Sequence, residues 1–279
     1  MHVAGVDVGS TATKAVVLDE DGKVAGLGLC PTGANVVRAA ERVFQEACRA
    51  AHVEEFDVAY VIGTGYGRYK VPFGHTQVTE ISCHAKGAAR LFPGTRTVVD
   101  IGGQDTKAIR VSPQGEVVDF CMNDKCAAGT GRFLEACAAV LDMKLSEIGD
   151  VSMRSTHPLK ITNVCTVFVE SEIVSQLARG EKVEDILRGV HNAIAGRSVA
   201  LLRRVGIEAQ VAFTGGVSRN GGMVRALEER LGLPINVNDL SQYIGALGAA
   251  TFALERVKHG GELPPPPRPA GAPQTHGGH

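Results

Sequence analysis

The sequence predicts an α/β protein built as two duplicated lobes around a cleft. Three observations carry this: an internal repeat, strand-like runs alternating with helical periodicity, and Gly-rich turns at strand ends. Asp7-Val-Gly-Ser-Thr-Ala-Thr-Lys14 continues through Ala15 to Gly22 and Val24. Asp100-Ile-Gly-Gly-Gln-Asp-Thr-Lys107 continues through Ala108 to Gly115 and Val117, at a constant offset of 93 positions. So long a period is not a solenoid's; it marks two copies of one supersecondary unit.

Each copy reads as strand, Gly turn, strand, turn, strand. In the first copy the strands are 3–8, 15–18 and 24–29, with Asp21-Gly22 as a hairpin signal. In the second they are 97–101, 108–111 and 117–120, with Gln114-Gly115 at the turn. Helical patterns fall between and after the copies. Residues 35–51 set Val36, Val37, Ala40, Val43, Phe44, Ala47 and Ala51 on one face. Further helices are expected over 80–91, 131–141, 167–178, 183–205, 220–231 and 243–257, and short strands over 210–213 and 235–237. The first lobe is taken as 1–95 plus 243–258 and the second as 96–242. The tail 259–279 holds half of the twelve prolines and no apolar period, so it is expected to be disordered.

Composition narrows the class. A chain of 279 residues is long enough for two modest lobes. A net charge of −1 and the absence of Trp give no support for a nucleic-acid partner. No apolar run reaches membrane-spanning length, and the N-terminus enters a strand without signal-peptide features, so a cytoplasmic protein with no membrane partner is expected. Seven Cys at irregular spacing, with no Cys-x-x-Cys pair, argue against a disulfide scaffold or a one-chain zinc site.

The two Gly turns read as phosphate loops, because such turns aim successive backbone N–H groups at an anion. In the first, Gly9, Ser10, Thr11, Ala12 and Thr13 would wrap ATP or ADP, Lys14 adds positive charge, and Asp7 holds Mg²⁺ through water. In the second, Asp100 repeats the role of Asp7, Gly102 and Gly103 make the turn, and Gln104 orients an attacking water. A third loop, Thr214-Gly215-Gly216-Val217, follows a short strand; its glycines allow close approach of a flat ring or a phosphate. There is no Walker A loop.

Cys126 and Cys165 each precede a helical stretch, where the dipole favours negative charge. A [4Fe–4S] cluster needs four thiolates, and one chain offers two so placed. A symmetric dimer sharing one cluster is one reading; two structural cysteines is the other.

The order of the three loops resembles the nucleotide site of the actin/sugar-kinase/Hsp70 superfamily, whose lobes are ribonuclease H-like; 245–250 is similar to its C-terminal helix. Within that superfamily the chain resembles the ATP-dependent activators of 2-hydroxyacyl-CoA dehydratases and the related ATPase subunits of benzoyl-CoA reductases. The matching pieces are 5–11, Val61-Ile-Gly-Thr-Gly-Tyr-Gly-Arg68, Thr79-Glu-Ile-Ser-Cys-His-Ala-Lys-Gly-Ala88, 99–107, 123–135 and 213–220. The resemblance implies an ATPase coupled to electron transfer, with Asp7, Asp100 and Gln104 in the catalytic roles. It further implies a [4Fe–4S] cluster held by Cys126 and Cys165 between the two subunits of a homodimer or of a homologous heterodimer. The implied donor is ferredoxin or flavodoxin, and the implied acceptor is an acyl-CoA dehydratase or reductase. It assigns no ligand role to Cys83 or His84, and Cys30, Cys48, Cys121 and Cys137 are expected in the core. A small-molecule kinase or a polymerising cytoskeletal protein would share the loops without needing the two cysteines.

Overall fold

The computed structural model describes residues 1–161 and 165–260, so 261–279 of the expected disordered tail lies outside the described residues. Ten strands are found among these residues. The first sheet holds β1 (His2–Val8), β2 (Ala12–Leu18), β3 (Val24–Pro31), β4 (Val58–Thr64) and β5 (Thr76–Gln77), in the order β3-β2-β1-β4-β5. The second holds β6 (Thr97–Ile101), β7 (Thr106–Val111), β8 (Val117–Asn123), β9 (Val211–Thr214) and β10 (Ile235–Asn236), in the order β8-β7-β6-β9-β10. The two orders are the same. In each sheet the first three strands are antiparallel and the last two join in parallel. The duplication read from the sequence is therefore a duplication of topology.

The sequence analysis assigns no strand to 58–64. β4 is nonetheless central, with Val58, Val61, Ile62 and Thr64 buried. A strand covered on both faces carries no apolar–polar alternation to betray it.

The helices are α1 (Val36–Ala50), α2 (Glu80–Leu91), α3 (Gly131–Val140), α4 (Ile148–Ser152), α5 (Thr166–Ala178), α6 (Val183–Val205), α7 (Gly221–Leu231) and α8 (Ile244–His259). Val43, Phe44 and Ala47 of α1 bury one face of the first sheet against Val6, Ala15 and Val17. On its other face Ala246, Ala249, Ala250 and Ala253 of α8 meet Val3, Val16, Leu18 and Ile62. α2 has two packing faces: Cys83 joins the α8 cluster, and Ile81, Ala85 and Ala88 pack on Val98, Ile109 and Ala212 of the second sheet. α2 and α8 thus fill the space between the sheets. The alternate residues Val99, Ile101, Val211 and Phe213 face the opposite way, toward α3, α5, α6 and α7.

The crossing of α2 and α8 is backbone on backbone. A Cβ on Gly248 would overlap the Cys83 carbonyl oxygen, and one on Gly87 the Ile244 carbonyl oxygen. This accounts for the small residues at 245–250.

One buried group makes stability depend on pH. His191 on α6 is fully buried, and neither ring nitrogen has a hydrogen-bond partner. Burial, aided by the nearby Arg188 charge, pushes its pKa down to about 3 from 6.5. The unfolded chain therefore binds a proton between these values that the folded chain refuses, so stability falls as pH drops below 6.5. One histidine of this kind accounts for a loss of about 2 kcal/mol between pH 7 and pH 5. The expected result is that His191→Leu removes that share of the slope. Urea melts of both proteins at the two pH values check it; equal slopes would refute it.

Candidate functional site

The repeated Asp and Lys are cross-strand partners. β1–β2 pairing sets Asp7 opposite Lys14, and β6–β7 pairing sets Asp100 opposite Lys107. Seven positions spanning a tight turn return the chain to the same height and face, so the repeat encodes two ion pairs. Lys14 Nζ lies 3.6 Å from Asp7 Oδ2, and Lys107 Nζ lies 3.5 Å from Asp100 Oδ1. Lys107 also pairs with Asp105 and comes within 4.0 Å of Glu80 Oε1. Each lysine is thus set against the aspartate of its own copy.

A second duplicated element flanks the aspartates. The parallel neighbours are Asp7 with Thr64 and Asp100 with Thr214. Each Thr ends its strand and is followed by a Gly with positive φ, +88° at Gly65 and +85° at Gly215. A side chain at Gly65 would overlap Asp7 Oδ1, and a Cβ at Gly215 would lie 3.1 Å from Asp100 Oδ2, so glycine is needed twice over. Gly215, Gly216 and Val217 are expected at the nucleotide, whereas Thr64 and Gly65 enter only within the matching piece 61–68. The Thr-Gly doublet at 64–65 was the available signal for the counterpart.

The Gly turns of the two copies touch. Thr11 Oγ1 lies against Gly103 so closely that a Cβ there would overlap it, yet this buried hydroxyl has no hydrogen-bond partner. Ser10 and Gln104 are exposed at the loop tips, Gly9, Ala12 and Gly102 are partly covered, and Gly216 has open space above it. Val217 is buried. Thr13 points the other way: it is fully buried and its hydroxyl pairs with that of Thr32 at 2.8 Å, supporting the loop from behind. The reason is the strand's alternation, which sends Thr13 and Lys14 to opposite faces.

Asp100 is the electrostatic centre. Burial alone would raise its pKa, but the charges of His84 and Lys107 outweigh this and hold it well below the carboxylate range. Thr214 Oγ1 donates to Asp100 Oδ2 at 2.8 Å. His84 Nδ1 lies 2.9 Å from the same oxygen, without the alignment of a hydrogen bond. Burial opposes the charge on Lys107 too, and the carboxylates around it reverse the shift, raising its pKa. Acidic oxygens clustered at the strand ends, beside an unpartnered hydroxyl and Gly turns, suit a hydrated divalent cation and phosphate oxygens.

The cysteines divide into two classes. Cys30, Cys48, Cys83, Cys121 and Cys137 are buried, while Cys126 and Cys165 are exposed. Burial pushes the Cys48 thiol up to about 11 and the Cys137 thiol up to about 12. Cys165 is the N-cap of α5, although Asn163 and Val164 of its motif lie outside the described residues. Cys126 sits in a loop shaped by Asn123, whose Nδ2 donates to the carbonyls of Cys126 and Ala128. That loop is tied to the Gly turn of the second copy: Gly131 N donates to Gly102 O and Arg132 N to Gly103 O, both at 2.9 Å, and Thr106 Oγ1 donates to Gly129 O at 2.7 Å. Among the described residues no three His, Cys, Asp or Glu side chains gather in a metal-binding group. No helix there is long and apolar enough to cross a membrane.

The chain is similar to proteins of known role. The chain is 43% identical over 258 residues to the (R)-2-hydroxyglutaryl-CoA dehydratase activating ATPase of Acidaminococcus fermentans, covering 92% of this chain and 98% of that one. It is 31% identical over 263 residues to a benzoyl-CoA reductase subunit of Thauera aromatica, covering 91% and 93%. The solved activator of the 2-hydroxyisocaproyl-CoA dehydratase from Clostridium difficile, with bound ADPNP, superposes with a TM-score of 0.89 at 40% identity, over 93% of this chain and 97% of that one. A ROK-family glucokinase from Streptomyces griseus shares the fold alone, with a TM-score of 0.58 at 16% identity over 91% and 99%. The fold is thus the two-lobed actin/sugar-kinase/Hsp70 type. The model of the BadF/BadG/BcrA/BcrD ATPase family matches residues 4–253, and with these identities the chain belongs to that family.

Proposed function

We propose that the chain is an ATP-hydrolysing electron-transfer activator of a 2-hydroxyacyl-CoA dehydratase-type enzyme, working as a homodimer with one [4Fe–4S] cluster between its subunits. The observation that carries this is the segregation of the cysteines: of seven, only Cys126 and Cys165 are exposed. Two accessible thiols per chain fit half of a four-thiolate site, which a symmetric dimer would complete. An anionic group held by Cys165 would lie at the positive end of α5. Identity to activators exceeds that to the reductase subunit, which supports a dehydratase as acceptor over a reductase.

In this reading Asp7 and Asp100 hold hydrated Mg²⁺, and Gly9, Ser10, Thr11, Gly102 and Gly103 receive the phosphates. Thr11 Oγ1, buried and unpartnered, would donate to a phosphate oxygen. Gln104 orients the attacking water, and Gly215, Gly216 and Val217 flank the nucleoside. The cluster, when bound, supplies a one-electron carrier. The bonds from Gly131 and Arg132 to Gly102 and Gly103 give the γ-phosphate a route to the Cys126 loop, because a loop that moves with nucleotide must carry the start of α3 with it.

Iron and acid-labile sulfide are to be measured on protein purified without oxygen. About two irons per chain are expected for a shared [4Fe–4S] cluster, lost in both Cys126→Ser and Cys165→Ser while ADP binding persists. No iron in the wild type would overturn the electron-transfer reading and leave an ATPase without a cluster.

A further inference from the structure

We infer that His84 is a positioning residue that sets the Asp100 carboxylate against that of Asp7, and so fixes the geometry of the Mg²⁺ site across the cleft. The inference rests on the nucleotide reading above and adds a residue to which that reading gives no part. His84 lies on α2, which precedes the second copy of the repeat in the chain, yet its ring reaches into that copy, with Nδ1 2.9 Å from Asp100 Oδ2. The other nitrogen faces the first copy. A Cβ built on Gly245, at the start of α8, would stand 2.7 Å from Asp7 Oδ2 and 3.1 Å from His84 Nε2, so carboxylate and imidazole crowd the same point. The ring therefore spans from one loop carboxylate to the vicinity of the other, and it is buried.

The repeat itself does not explain this group. It provides each Asp with a Lys seven positions on and a Thr on the parallel strand. Those partners are unequal: Thr214 donates to Asp100, while the buried Thr64 Oγ1 has no hydrogen-bond partner. On the α8 side Gly245 lies beside Asp7 and has no side chain to hold its carboxylate. His84 thus adds a constraint to one carboxylate and none of equal kind to the other. α2 is pinned for the task, since its residue Gly87 packs directly on the α8 backbone and Ile81 and Ala85 pack against the second sheet. A ring so held keeps the Asp100 carboxylate in the place where, together with Asp7, it would hold a hydrated cation.

Groups that orient a metal-binding carboxylate typically matter about 10–100-fold to metal affinity. The test is calorimetric binding of ADP, with and without Mg²⁺, to the full chain purified without oxygen. Wild type, His84→Ala and His84→Asn are compared, the Asn amide nitrogen standing in for Nδ1. The expected result is that His84→Ala weakens Mg²⁺-dependent binding roughly tenfold or more, leaves Mg²⁺-free ADP binding unchanged, and is largely rescued in His84→Asn. A merely structural role would weaken both binding modes together and lower the melting temperature, without rescue; that outcome overturns the inference, as does unchanged Mg²⁺ dependence. Where His84→Ala does not fold, His84→Gln, which keeps the bulk but moves the amide off the Nδ1 position, takes its place. Failure of the wild type to bind Mg²⁺ with ADP would overturn the nucleotide reading instead.

Discussion

Asp100→Ala is expected to lower the unfolding free energy by about 3–5 kcal/mol, the usual effect of removing one partner from a buried ion pair, and to abolish ATP hydrolysis. Its carboxylate is the common partner of Lys107, His84 and Thr214. Lys107 is itself buried, so the variant leaves its charge with fewer partners in a low-dielectric interior, and His84 loses the carboxylate it faces. Asp105 and Glu80 remain near Lys107 and limit the loss. Asp7→Ala is the control. It removes the equivalent group of the other copy, but among the described residues its ion-pair partner is Lys14 alone, which is less buried than Lys107, so a smaller loss of stability is expected beside a similar loss of hydrolysis. The pH dependence has a definite sign. The pKa of Asp100 is held below its ordinary 3.8, so its contribution is complete above that value and is lost as pH falls beneath it. Urea midpoints at pH 7 should therefore separate wild type from Asp100→Ala widely, and the gap should narrow in acid. Equal stability of the two alanine variants at pH 7 would refute the asymmetry.

Gly248→Ala is expected to leave little folded protein. The added methyl would fall on the Cys83 carbonyl oxygen, a backbone atom in α2 that no rotamer change can move. Overpacking against side chains costs about 1–3 kcal/mol when neighbours can shift. Here two helices would have to separate, and both lie between the sheets, so the upper end of that range or beyond is expected. Gly216→Ala is the comparison, because no atom lies within 4 Å of its Cβ position. Soluble yield and urea midpoints of the two variants check this, and a Gly248→Ala protein as stable as Gly216→Ala would show that the crossing can open.

How much of this was legible in the residues follows from the range of the interactions. The helix over Glu80–Leu91 and the one over Val183–Val205 were readable to the residue, because period, caps and breakers are local. The hairpins were readable because turn chemistry sets register over a few positions, and once the turn is set Asp7 must face Lys14. β4 was not readable as a strand, since burial on both faces erases its alternation. Its Thr64-Gly65 end escaped for a second reason. The counterpart at Thr214-Gly215 stands 150 positions on, not 93, because the second copy carries α3 through α6 between its third and fourth strands.

The order of residues already carries the duplication, the two Asp-x-Gly turns with their lysines, the buried runs and the two cysteines that precede helices. These are properties of neighbours in the chain, where backbone geometry and side-chain period act directly. Which thiols reach the surface is settled by packing, since exposure depends on what arrives from elsewhere. Packing also brings Thr11 against Gly103, ties the Cys126 loop to the Gly turn of the second copy, and places His84 between two aspartates 93 residues apart. Those contacts join segments whose separation no local pattern records, and His84 stands between the aspartates because α2 and α8 pack between the two sheets.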